Sequence, residues 1–498
     1  MSHSDSTLSF AALRSLSADD HYPETMSDMS PDEPRVPTSR SVPTMANTGA
    51  VAAVGLDLQE GKAVPRKQVV AWALWDWATQ PFNTVILTFI FTALYLTENY
   101  FLPADIASLP ESDPAYQRGI ADLGAGLGYA VGAAGLAIAL LAPVLGQRSD
   151  VSGKRKLWLA VNTAIVVLCM ALMFFVEASP DFYLLGISLV AICSVFNEIA
   201  GVNYNAMLVQ VSTPQTVGKV SGLGWGLGYI GGIVALVIVV VAQGADWFGL
   251  SSDNGLPFRV IALGCAVWTV VFSIPILLWA PDAAPAANRQ RVGFFASYGL
   301  LITDIKRLYR DSRPTFWFLA ASAVYRDGLA GVFTFGAVLA TGAFGFSFTE
   351  VVTFGIAANL IAGVSTVVAG RFDDRFGPRA VILLSLIGLV AAGIATFALH
   401  DFGKTIFWVF GLLLCAFVGP AQSASRSLLM RVTPAGHEGE IFGLYATTGR
   451  AASFLSPVLW GLFISIFGAI YWGVLGIVLV LAVGLVLMLF VKAAPKAL

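Results

Sequence analysis

Gly146-Gln-Arg-Ser-Asp150-Val-Ser-Gly153-Lys-Arg155 and Gly370-Arg-Phe-Asp-Asp374-Arg-Phe-Gly377-Pro-Arg379 carry one pattern twice, with Gly, Asp, Gly and Arg recurring 224 positions apart. Each copy is a polar island after the second apolar run in a group of six. A second echo accompanies it: Thr213-Pro214 with Thr433-Pro434, and Gly222-Leu223 and Gly228 with Gly443-Leu444 and Gly449. Such an internal duplication of six-segment units is the organisation used by alternating-access carriers.

The flanks of these blocks are apolar at a level no water-soluble domain sustains. The chain has 498 residues, of which 57% are hydrophobic and 12% charged, with a mean hydropathy of +0.76. Soluble proteins average about 25% charged residues. Lipid is a solvent in which such a composition exposes no aggregating patch. Runs of spanning length fall at about 69–96, 119–145, 157–177, 182–208, 220–243, 259–280, 315–341, 350–370, 380–399, 405–430, 441–467 and 469–491. The expected fold is an all-α membrane protein: twelve transmembrane helices in two pseudo-symmetric six-helix bundles.

Charge in the connections sets the orientation. The flank before the first run and the even-numbered connections hold Arg66, Lys67, Lys154, Lys156, Arg307 and Arg375 among many others; the odd-numbered ones are acidic, with Glu98, Glu111, Asp246 and Asp401. The positive-inside rule places both termini in the cytoplasm, here of a multi-pass protein of the cell (plasma or inner) membrane. Residues 1–65, rich in Ser, Pro, Asp and Thr, read as a disordered cytoplasmic tail without the apolar core of a cleaved leader. The N-terminal bundle is expected over 66–280 and the C-terminal bundle over 315–498. Between them, 281–314 is a cytoplasmic linker, either plain or carrying an amphipathic helix over 292–312 on the membrane face.

Other chemistries lack their residues. Cys169, Cys193, Cys265 and Cys415 sit in separate apolar runs with no CxxC pair, and no HExxH-like pair exists. Gly222, Gly224, Gly226 and Gly228 lie within an apolar run and follow no strand, so they do not read as a nucleotide-binding loop. No enzyme activity, cofactor, metal or nucleic-acid partner is expected.

The GxxxDxxGxR blocks, present at equivalent places in a 6+6 chain, resemble the cytoplasmic loop motif of the major facilitator superfamily. Within it, three further stretches are similar to the autophagy-related vacuolar amino-acid effluxers and their bacterial relatives. These are Trp72-Ala-Leu-Trp75-Asp76-Trp77-Ala78, Gly228-Tyr229-Ile-Gly231-Gly232, and Gln422-Ser423-Ala-Ser425-Arg426-Ser427 followed by Phe442-Gly443-Leu444-Tyr445. Asn203-Tyr204-Asn205 also fits, whereas Trp75 stands where that family often has Tyr and Gln80-Pro81 is not its usual continuation. The resemblance implies a rocker-switch carrier with its site between the halves.

Ionised groups inside apolar runs mark that site, because each costs roughly 2.5–3.5 kcal/mol at mid-membrane unless paired or hydrated. They are Asp76, Glu198, Arg326, Asp327, Arg426 and Arg450. Trp72, Asp76, Gln80 and Asn83 share one helical face. Asp76 between Trp75 and Trp77 suits an ammonium held by a carboxylate and aromatic faces, a protonatable coupling group, or a structural bond to a neighbouring helix. Glu198 and Asn205 share a face of span 4; Glu198 suits proton coupling or a salt bridge. Asp327 is a third proton-coupling candidate. Arg426, on one face with Gln422, and Arg450 can fork onto a carboxylate or lock a gate against Glu198 or Asp327. Tyr445 is placed on the same binding surface.

Gly124, Gly128 and Gly132, and Gly224, Gly228 and Gly232, permit close helix approach. Gly146, Asp150 and Arg155, with Gly370, Asp374 and Arg379, are expected to gate by stabilising one conformer. These readings describe a proton-coupled monomeric carrier of a small zwitterion such as an amino acid. Export of amphipathic drugs or lipids, and a non-transporting receptor or scaffold, are the alternatives.

Overall fold

A computed structural model describes residues 64–152, 154–212, 217–251, 253–282, 294–432 and 438–491, without the side chains of 142–152, 209, 217–219, 221, 222, 225, 248, 294–298, 300, 301, 304, 367, 370, 374, 430–432, 438–443 and 446. The tail expected over 1–65 thus lies almost wholly outside the described residues, as does the linker from 283 to 293. The described part of the linker holds a helix, Phe294–Asp311.

Among the described residues, twelve helices are long and apolar enough to cross a bilayer. Spans 1–6 are Arg66–Leu96, Pro114–Leu141, Arg155–Phe175, Pro180–Ala206, Gly226–Gly244 and Asp253–Trp279. Spans 7–12 are Arg313–Gly342, Phe348–Asp373, Pro378–Ala398, Lys404–Leu429, Thr447–Phe467 and Ile470–Leu489. They make the two six-helix halves, with large apolar side chains such as Leu168, Leu184, Leu278, Leu360 and Leu384 turned outward. In a bilayer these positions meet acyl chains.

Span 1 is not a uniform helix. Pro81 has no N–H to return to Trp77 O. That carbonyl accepts instead from Trp268 Nε1 of span 6 at 3.1 Å, and Ala78 O accepts from Thr269 Oγ1 at 2.8 Å. Beyond Pro81 the chain widens into π-helical turns, Phe82–Phe89 and Thr92–Leu96. Threonine hydroxyls fill the loosened ladder: Thr88 donates to Asn83 O at 2.7 Å and Thr92 to Leu87 O at 2.9 Å. Hydrocarbon offers no water to do this, so the sequence supplies hydroxyls at the spacing of the wider turn.

Span 11, expected as one run over 441–467, is interrupted. A helix Glu438–Ala451 and a second, Leu455–Phe467, flank a turn at Ala452–Phe454. Ser453 N and Oγ return to Arg450 O at 3.2 and 2.8 Å. Across the break, the buried Asp327 carboxylate of span 7 accepts the Ser456 N–H at 2.5 Å. A carboxylate at a helix N-terminus satisfies an orphan donor and the helix dipole together.

The halves meet along spans 2 and 11. A Cβ on Gly128 would lie 2.7 Å from Trp460 Cδ1 and 3.0 Å from Pro457 O; one on Gly132 would lie 2.7 Å from Val458. Trp460 is fully buried, stacks on Phe335 of span 7 at 4.7 Å, and donates to Gly124 O at 3.3 Å. Lipid supplies no hydrophobic drive between helices, so close packing of this kind holds the seam. Arg118 donates to Ser465 O at 3.0 Å, Tyr129 to Ser465 Oγ at 2.9 Å, and Thr341 to Ala93 O at 3.1 Å. Thr349 and Gln243 add a contact at 3.5 Å between spans 8 and 5. These cross-half bonds cluster toward the end of the bundle that carries the acidic connections.

Candidate functional site

Span 1 lays its polar stripe along the glycine ladder of span 5. Trp72 faces Gly224, Asp76 faces Gly228, and Gln80 with Thr84 faces Gly232. Both stripes repeat every four residues, so they mesh along the whole contact.

Trp72 and Trp75 are buried, not free in a cavity. Both stack on Tyr204 of span 4, at 4.4 and 4.6 Å. Trp72 Nε1 donates to Tyr204 O at 3.0 Å and Trp75 Nε1 to Thr163 Oγ1 at 3.1 Å. Trp77 turns the other way, onto Trp268 at 5.3 Å. The indoles beside Asp76 in sequence therefore pack the half together, and the aromatic groups near its carboxylate belong to other helices. Tyr204 and Tyr229 both lie within electrostatic reach of Asp76. The Tyr204 hydroxyl is buried and has no hydrogen-bond partner among the described residues. Asp76 is half-buried, and its side chain makes no hydrogen bond or ion pair among them.

Two further polar groups continue the site. Asn197 Nδ2 of span 4 donates to Asn83 Oδ1 at 3.2 Å, leaving the buried Asn197 Oδ1 without a partner among the described residues. Glu198 and Asn205 are both exposed on span 4, in keeping with a shared face.

The C-terminal half presents guanidiniums. Arg450 Nε approaches Glu198 Oε2 to 3.4 Å across the boundary between halves; the Glu198 side chain is 49% exposed and that of Arg450 23%. Arg426 of span 10 is exposed and lies within electrostatic reach of Tyr229 on span 5. Gln422, one turn away, is half-buried. Arg326 of span 7 donates to Tyr445 O at 3.0 Å and lies 4.1 Å over the Tyr445 ring. Tyr445 is buried and stacks on Phe318 at 6.2 Å. The carboxylates Asp76 and Glu198, the second paired with Arg450, thus come from the N-terminal half, and the three guanidiniums from the C-terminal half. Asp327 is set apart, committed to the break in span 11.

The loop-motif residues are placed more simply. Arg155 is buried and donates to Ala206 O at the end of span 4, at 2.9 Å. Arg379 donates to Val491 O at 2.6 Å and Leu489 O at 3.1 Å at the end of span 12. Both guanidiniums cap terminal carbonyls of a neighbouring helix. Gly146 and Gly370 lie in the helices of spans 2 and 8; the Asp150 and Asp374 side chains are outside those described. Arg326, expected from its charge inside an apolar run, and Tyr229, from the Gly228-Tyr229 stretch, fall at the site, and Asn197 joins them. Asn197 gives no signal in the sequence beyond its polarity.

Residues 209–497 match the family model described as vacuole effluxer Atg22 like. The chain belongs to the Atg22-like family. An uncharacterized MFS-type transporter of Bacillus subtilis, YxiO, is 25% identical over 435 residues, covering 85% of this chain and 95% of that protein. Autophagy-related protein 22 of Cryptococcus neoformans is 27% identical over 292 residues, covering 54% of this chain and 49% of that one. The chain thus spans about half the length of this fungal relative. Among solved structures, the nucleoside transporter NupG covers 86% of the chain with a TM-score of 0.56 at 16% identity. The xylose transporter XylE from E. coli covers 86% with a TM-score of 0.56 at 12% identity. Alignment extends over 100% of the NupG chain and 96% of the XylE chain, so the chain shares their fold, and its relative YxiO is described as MFS-type. This Atg22-like protein is a multi-pass membrane transporter of that type.

Proposed function

We propose that this Atg22-like transporter is a proton-coupled secondary carrier of a small zwitterionic solute, amino-acid-like in chemistry, working as a monomer by rocker-switch alternating access. The observation that carries the reading is the segregation of charge. Asp76 and Glu198 stand on one wall and Arg326, Arg426 and Arg450 on the other, joined at Glu198–Arg450. A solute bearing an ammonium and a carboxylate complements both walls at once.

With both termini cytoplasmic by the positive-inside rule, the seam of spans 2 and 11 closes the outer side, and the crevice opens inward in the plasma or inner membrane. Ionised Glu198 holds Arg450. A proton on Glu198 ends that attraction and frees the guanidinium for the solute carboxylate or for separation of the halves. A pair this exposed contributes about 1 kcal/mol or less. It can therefore be exchanged for a proton without trapping the carrier, while the Trp460 seam supplies the mechanical closure. The family description and the MFS-type relative support efflux or uptake of a small molecule.

The test is uptake into liposomes holding the purified protein, with an amino-acid mixture and an imposed pH gradient. Gradient-driven accumulation of one or more amino acids supports the reading. Gradient-independent movement of amphipathic compounds alone would replace it with the amphipath-export reading.

A further inference from the structure

The contact of Asp76 with Gly228 has a counterpart in the other half. A Cβ on Gly228 would lie 3.0 Å from the Asp76 carboxyl carbon and its Oδ2. A Cβ on Gly449 would lie 2.7 Å from Arg326 Nη1 and 3.0 Å from its Cζ. Gly228 and Gly449 are equivalent positions of the internal duplication, each six residues after the Gly of a Gly-Leu pair. The residues next door agree. Trp75, preceding Asp76, packs on Tyr204 of span 4 at 4.6 Å. Tyr325, preceding Arg326, bonds Ser425 of span 10 through its hydroxyl at 2.6 Å. By these contacts Arg326, and not the adjacent Asp327, stands where Asp76 stands.

One glycine-floored cradle therefore occurs twice, bearing a carboxylate in the first half and a guanidinium in the second. In each, the absent Cβ is what lets the charged head lie against the facing helix. Neither head makes an ion pair among the described residues. Asp76 has no side-chain hydrogen bond there, and Arg326 has a single one, to Tyr445 O, with its Cζ 4.1 Å over the Tyr445 ring. Arg450 differs, since it already engages Glu198. A planar guanidinium backed by an aromatic ring presents its remaining donors edge-on, the geometry that grips a carboxylate in two places.

We propose that the two cradles are the charge-reading subsites of the carrier: Arg326 over Gly449 takes the solute carboxylate, and Asp76 over Gly228 takes its ammonium. The assignment rests on the zwitterion reading above and leaves the coupling proton to Glu198.

The experiment uses the full chain in liposomes and the labelled amino acid that wild type moves best. Two competitors are added in turn: the amine lacking the carboxylate and the acid lacking the amine. Arg326→Gln is expected to weaken competition by the acid about tenfold while changing the amine less than about twofold. Asp76→Asn is expected to do the reverse. Gly449→Ala keeps the charge but moves it, and is expected to raise KM in the manner of Arg326→Gln; Arg326→Lys should retain part of the acid's effect. Size-exclusion profiles verify folding. Should Arg326→Gln fail to fold, Gly449→Ala and Arg326→Lys decide by the same criteria. Equal loss for both competitors, or none for the acid, overturns the assignment to Arg326. Failure of wild type to move any amino acid overturns the zwitterion reading and the assignment with it.

Discussion

Glu198 of span 4 and Arg450 of span 11 meet at 3.4 Å across the boundary between the two six-helix halves, with the carboxylate side chain half exposed. Glu198 lies in the last third of span 4 and Arg450 in the first turn of span 11, and a charge within an apolar span is costly unless paired or hydrated. Their pairing links the two halves.

Glu198→Gln should uncouple transport from protons. The amide cannot release and rebind a proton, so uptake driven by a pH gradient should fall at least about tenfold. Solute exchange without a gradient should persist. Parallel measurement of gradient-driven uptake and counterflow checks this; unchanged gradient-driven accumulation would contradict it.

Gly128→Val should open the acidic-loop side. The added branch meets Trp460 and the backbone of Pro457 and Gly461, which cannot withdraw while the seam is closed. Spin labels at Asp113 and Ala469 should report a longer mean distance than in the otherwise unmodified protein. A distribution identical to the parent would show that the seam accommodates the branch.

Asp327→Ala should weaken the fold more than it alters substrate recognition. It removes the acceptor of the buried Ser456 N–H at the restart of span 11, a loss of about 1–3 kcal/mol. A lowered thermal midpoint with KM nearly unchanged is the expected result. A normal midpoint together with lost coupling would assign Asp327 to proton movement instead.

Glu98, between spans 1 and 2, links stability to pH. Burial raises its carboxyl from the usual range to about 7, with the Glu111 carboxylate adding to the effect. The folded protein thus holds this proton more tightly than the unfolded chain. Below the unfolded value of 4.5 the group contributes no penalty; the penalty grows as pH rises from there and is complete above about 7. The thermal midpoint should fall between pH 5 and pH 8, and Glu98→Gln should flatten that fall. An unchanged slope in the variant would assign the pH dependence to other groups.

The spans and the duplication were readable because spanning helices need long apolar runs, and because paired loop blocks survive in register at a fixed offset. Charges inside those runs stood out for the same reason, and Glu198 and Arg450 could be weighed as partners beforehand. Side-chain direction was not readable. Whether Trp72, Trp75 and Trp77 surround Asp76 or face other helices depends on Tyr204, Thr163 and Trp268, which come from distant spans. The break in span 11 had no proline or glycine within Ala452-Ser453-Phe454 to announce it; it is held by Asp327 from another helix. The match of Asp76 to Arg326 was hidden because its offset is 250, whereas the loop blocks repeat at 224. Unequal connections shift the register, and only the contacts with Gly228 and Gly449 restore it.

The most direct measurement is uptake by the purified chain in liposomes, using single amino acids with and without an inward proton gradient. Accumulation above the equilibrium level that requires the gradient, and that vanishes in Glu198→Gln, is the predicted result. Gradient-driven accumulation that Glu198→Gln leaves intact, or no movement of any amino acid, would contradict the account.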